Sequence, residues 1–261
     1  MASRNPVLIR ATGESLDTAQ SPVTAGSIPG FTSTRTDAQL TINDVVMKTA
    51  ALFGVLLVGA YFGWTSVLSN PSIIVISLVV AFVLAMINTF SKNIKPVLVL
   101  GYGAAEGIAL GAISRFYNDA FIDKAPNIVS QAVMGTLVAF AVMLALYSGK
   151  IIRVNGTFMK VFAVAMISYL VISVISMIAS FTGVGGGWGF FGVGQMGLLL
   201  CLAGVGLAAF SLVMDFETIQ QAVNRGVPER ESWRMAFGLT VSLVWLYTEL
   251  LRLIAIFSSD R

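Results

Sequence analysis

From about residue 45 onward the chain is written in long apolar runs separated by short polar joints. Seven runs, at about 45–68, 71–91, 97–117, 130–149, 157–181, 192–215 and 235–257, each have about the length needed to cross a ~30 Å hydrocarbon core at ~1.5 Å per residue. The pattern predicts an all-α polytopic membrane protein with seven transmembrane helices. Thr41-Ile42-Asn43-Asp44 has the form of a helix start, with a hydroxyl at the cap and a carboxylate three residues on. Asn70-Pro71 and Lys95-Pro96 punctuate the first joints, and Gly183 to Gly192 reads as a glycine-rich loop carrying Trp188, Phe190 and Phe191. Residues 1–40 lack sustained periodicity and are rich in Ser, Thr, Gly and Ala. They read as a flexible polar tail ahead of a membrane domain over 41–261, and no apolar core of a signal peptide follows the first arginines.

Composition agrees with the pattern. The chain is 56% hydrophobic and 11% charged, against roughly 25% charged in a soluble domain. A net charge of +3 gives no reason to invoke nucleic acid, and the expected surroundings are a lipid bilayer. Placing the N-terminus inside leaves Arg115, Lys124 and Arg261 outside and Arg252 within the last run, with the rest of the 16 basic residues inside. The positive-inside rule therefore predicts a cytoplasmic N-terminus and an outer C-terminus. Lys92 and Lys95 bracket the inner turn after the second run and fit topology determinants; Lys48 fits a snorkelling position. Asn155-Gly156-Thr157 forms a glycosylation sequon, on the side where it is not expected to be used.

There is no histidine. That excludes His-ligated zinc and haem, Ser–His and Cys–His nucleophile pairs, and the usual titrating group near neutral pH. The single cysteine, Cys201, lies in an apolar run and reads as a small core residue. No phosphate-binding Gly-x-x-x-x-Gly-Lys, no Gly-x-Gly-Asp protease motif and no lysine for a retinal Schiff base in the last run is present, so no enzyme and no cofactor is expected.

The chemistry rests on three acids. Glu249 sits in Leu246-Tyr247-Thr248-Glu249-Leu250-Leu251-Arg252, where a charged residue costs roughly 2.5–3.5 kcal/mol on insertion scales. Its plainest reading is a local pair with Arg252, three residues on; its sharper reading faces Asp215 across the 216–234 connection. Asp215 closes the sixth run, where it is either a solvated helix end or the second member of that pair. Two adjacent carboxylates cannot easily both ionise, so such a pair can share a proton, and it supplies oxygen ligands for a hard cation such as calcium. They meet only if the last helix starts outside the membrane or Asp215 is drawn inward, because Glu249 lies ~21 Å beyond the start of its run. Glu106 lies beside Gly103, Gly107 and Gly111, a small-residue face suited to close helix contact. Structural hydrogen bonding and a pathway-lining role are both open for it.

Met214-Asp215-Phe216-Glu217-Thr218-Ile219, Leu246-Tyr247-Thr248-Glu249-Leu250-Leu251-Arg252-Leu253 and Ala104-Ala105-Glu106-Gly107-Ile108-Ala109-Leu110-Gly111 together resemble the Bax-inhibitor (TMBIM) family, over about residues 44–258. The long polar tail is similar to an actinobacterial-type branch. The resemblance implies a last helix wrapped by the other six, a bacterial plasma membrane, and a pH-sensitive calcium leak. It implies that Asp215 and Glu249 form a hydrogen-bonded pair closing the pore. This chain has Glu where relatives usually carry Asp in the last helix, and only Lys92 where some relatives place a latching arginine. Arg252 and Lys92 are thus the candidates for charge compensation. A second function is a regulatory or scaffold protein that modulates a membrane protease complex. A third is a proton-coupled transporter, for which the glycines of the sixth run would have to break that helix.

Overall fold

The computed structural model describes residues 38–259 apart from Arg153. Seven helices account for the apolar runs: α1 Ile42–Ser66, α2 Ile73–Phe90, α3 Pro96–Ala120, α4 Ile128–Ser148, α5 Gly156–Phe181, α6 Gly194–Asn224 and α7 Ser232–Ser259. All seven are long and apolar enough to cross a membrane. Of the 1–40 tail, residues 1–37 lie outside the described part. Residues 38–40 are docked: Leu40 donates its N–H to Val227 O (2.8 Å), Glu229 donates to Ala38 O (2.7 Å), and Leu40 is buried.

The helix starts follow from local chemistry. Thr41 and Asp44 form a complete capping box on α1. Pro96 opens α3, where its missing N–H costs nothing. Asn155 caps α5 by accepting the Phe158 N–H at 2.7 Å, which gives the sequon asparagine a structural job. One boundary departs from expectation. α6 does not end at Asp215 but runs nine residues further, to Asn224. The hydrophobic run stops there, yet Phe216, Ile219 and Ala222 keep one helical face buried and carry the helix on. The 216–234 connection thereby shrinks to the residues between Asn224 and Ser232.

Inside a bilayer no hydrophobic force drives helices together, so close packing must supply the attraction. α1 and α3 run parallel, and Gly103, Gly107 and Gly111 lie against Leu52, Leu56 and Ala60. A Cβ at Gly107 or Gly111 would overlap the backbone of Leu56 or Ala60, and Gly59 and Gly63 repay the approach from the α1 side. α7 occupies the centre. It contributes to each of the buried clusters of the domain: Phe237 beside Leu52 and Tyr102, Leu239 and Leu246 beside Leu212, Val244 beside Leu56, and Leu251 and Ala255 beside Ile128. α5 is the most peripheral helix, and its only buried residues are Tyr169 and Ser176.

Candidate functional site

Glu249 is 3% exposed and is held from four directions. The Tyr169 hydroxyl of α5 donates to its Oε1 at 2.7 Å and the Trp245 indole donates at 3.1 Å. Arg252 Nη1 lies 3.3 and 3.2 Å from the two carboxylate oxygens. The Cys201 thiol of α6 is 3.5 Å from the Glu249 carbonyl and 3.8 Å from Oε2. Room for the carboxylate comes from Gly204, where a Cβ would meet Glu249 Oε2 at 2.8 Å and overlap the Tyr169 hydroxyl. Arg252 completes the arrangement by stacking on Phe191, 4.3 Å from ring centre to guanidinium. A cavity of about 230 Å³ opens above it, lined by Tyr117, Phe121, Trp188 and Phe191.

The glycine-rich segment covers this end of the bundle as two short 3₁₀ turns, Val184–Gly187 and Gly189–Gly192. Ser176 anchors it: the Phe190 N–H donates to Ser176 Oγ at 2.9 Å. Gly189 has φ +62° and its Cβ would overlap the Ser176 carbonyl, so only glycine fits both the angle and the space.

Asp215 is elsewhere. Its Oδ1 faces Gly238 of α7, Ser242 is the hydrogen-bonding neighbour of its carboxyl, and its buried Oδ2 has no hydrogen-bond partner among the described residues. α6 and α7 are antiparallel, with Gly204 against Glu249 and Asp215 against Gly238. The two acids are thus separated by the same stretch on both helices, 204 to 215 and 238 to 249, or about 16 Å at ~1.5 Å per residue. The expected hydrogen-bonded pair is replaced by two separate acid positions on one helix seam. The cause is the extension of α6: the connection is short, α7 starts level with the end of α6, and Glu249 is carried far along the bundle.

Glu106 is half-buried on α3 and has no hydrogen bond or ion pair among the described residues. Tyr102 packs on Phe237 with ring centres 5.0 Å apart, and Ser114 shares a 2.6 Å hydrogen bond with Tyr247. Interpolating between these contacts sets Glu106 level with residues 239–241 of α7, within about one turn of the Asp215 level. Lys92 is exposed and contacts neither Asp215 nor Glu249 among the described residues. The cation at the α2 terminus is instead Arg234, which donates to the Ser91 and Lys92 carbonyls at 3.1 and 3.2 Å and pairs with Glu231 at 2.8 Å. Lys48 does not snorkel freely: it pairs with Glu229 at 2.9 Å and donates to Ser232 Oγ at 2.6 Å.

The sequence did not point to Tyr169 or Trp245. Trp245 had a usable signal, since it precedes Glu249 by one helical turn. Tyr169 had none, because nothing in one sequence says which helices are neighbours. Gly204 was one of the sixth-run glycines weighed as helix breakers; α6 instead runs unbroken from Gly194 to Asn224, and Gly204 makes room for the carboxylate.

A helical bundle of seven membrane-length spans, with a buried carboxylate on its central helix, defines an integral membrane protein of the all-α class. The chain matches the Bax inhibitor 1 like family over residues 5–259, and it belongs to that family. The match takes in nearly all of the N-terminal segment as well as the spans, further than the 44–258 expected. A comparison with curated proteins gives no match.

Proposed function

We propose that the chain is a passive cation leak, with calcium the favoured ion, whose conductance rises with pH. The observation that carries this reading is the α6–α7 seam, which holds two acids in different electrostatic states. Glu249 is compensated by Arg252 and by donated hydrogen bonds. Asp215 has a buried oxygen without a partner and no cation beside it among the described residues. An ionised carboxylate in apolar surroundings is costly until something solvates it. With the N-terminus cytoplasmic, loss of the Asp215 proton puts an uncompensated charge in the inner half of the seam. Water and a cation then enter to balance it, with Glu106 at the same depth as a second acid. Glu249 and Arg252 form the outer closure. Calcium takes oxygen ligands readily exchanged with water, which suits acids met one at a time.

Calcium entry into liposomes carrying the purified protein tests the reading. Flux should rise as the pH is raised and lose that rise in Asp215→Asn. Folded, flux-inactive protein at every pH would sink the leak and leave the regulatory-scaffold reading, in which a membrane protease complex is the partner.

A further inference from the structure

α1 and α4 pack on α7 from either side and leave a groove between them with a volume of about 1480 Å³. Pockets for small organic ligands run to about 300–1,000 Å³, so this space is larger than one such ligand fills. Its α1 wall runs from Ile42 to Trp64, about 33 Å at ~1.5 Å per residue, matching the ~30 Å hydrocarbon thickness of a bilayer. Leu239, Leu243 and Val244 of α7 form the floor. The rims stand out from the bundle: Leu57 is 63% and Leu137 56% exposed.

Hydroxyls are spread along this groove, Thr136 midway and Ser114 with Tyr247 toward the far end, each already hydrogen-bonded, but its charged side chains, Lys150 and Glu217, sit with Gln220 at the end where α4 and α6 finish. Glu217 is already committed: its Oε2 accepts the Tyr147 hydroxyl at 3.0 Å and its Oε1 accepts the Gln221 amide at 2.8 Å. Lys150 is exposed and has no carboxylate partner among the described residues. An exposed cation without a carboxylate partner at the mouth and a bilayer-length apolar trough beyond it match a phosphate and acyl chains.

We propose that this groove binds one anionic phospholipid of the surrounding bilayer, with its phosphate at Lys150 and its chains along the α1 and α4 walls. The site is separate from the acid seam, so it stands whether or not the protein conducts.

The test is native mass spectrometry of the full chain, released from detergent with equal amounts of phosphatidylglycerol and phosphatidylcholine bearing identical chains. Wild type should retain one phosphatidylglycerol, favoured about fivefold, the effect of one basic residue at an anionic surface. Lys150→Gln should equalise the two lipids without abolishing retention. Val133→Trp combined with Leu137→Trp should fill the trough and release both lipids while circular dichroism stays unchanged; if that variant fails to fold, Ala50→Phe fills it from the α1 wall. Equal retention of the two lipids by wild type, or retention of only detergent, overturns the proposal. So does lipid retention that survives a filled groove.

Discussion

At the scale of single residues, Glu249 shows how a membrane protein keeps a carboxylate it can ill afford. Arg252 supplies the charge, Tyr169 and Trp245 supply donors, and Gly204 supplies the space. Removing one partner of a buried ion pair leaves the other uncompensated, at a cost of roughly 3–5 kcal/mol. Arg252 keeps 29% of its side chain exposed, so Arg252→Gln should fall at the lower end, about 3 kcal/mol, read as an earlier thermal melt in detergent. Tyr169→Phe removes one hydrogen bond to a charged group and should cost about 2 kcal/mol by the same measurement. A melt unchanged by either substitution would mean that Glu249 is held by something else. The Glu249–Arg252 spacing was legible in the sequence, because three residues on a helix share a face. Tyr169 was not, because it comes from a peripheral helix whose position only tertiary packing sets.

Among the elements, the α1–α3 contact and the length of α6 matter most. Gly107 packs into the α1 backbone, whereas a Cβ at Gly54 meets nothing within 4 Å. Overpacking a close contact costs about 1–3 kcal/mol, while replacing an open helical glycine by alanine gains roughly 0.5–1 kcal/mol. Gly107→Ala should therefore lower the melting temperature and Gly54→Ala should hold or raise it. Equal shifts would show that the two helices do not approach as described. The seven spans were legible from run length alone, and the glycine repeat marked a close face. The end of α6 was not, because the chain turns polar at Asp215 while one buried helical face continues through Ile219 and Ala222. That difference moved the two acids apart: a helix ending at Asp215 leaves room for a pair, and a helix ending at Asn224 does not.

For the molecule as a whole, the central place of α7 ties the parts together. Its start is clamped by Lys48 and Glu229 and by the strand-like pairing of residues 38–40 with 227–229; its far half carries Glu249 beneath the glycine-rich turns. A last helix wrapped by the others was an implication of family resemblance, not of periodicity, since an apolar stripe shows that a helix has a buried face and not which helices cover it. Two acids about 16 Å apart on one seam should act independently, because sites farther apart than ~7–10 Å with no shared partner contribute additively. The most direct test is a double-mutant cycle on calcium flux in liposomes, comparing wild type, Asp215→Asn, Glu249→Gln and the double variant at pH 8. Separate acid positions predict that the two single effects on the logarithm of the flux add up to the double effect. A double variant no different from one of the singles would show the acids working as one unit and would contradict the two-position seam.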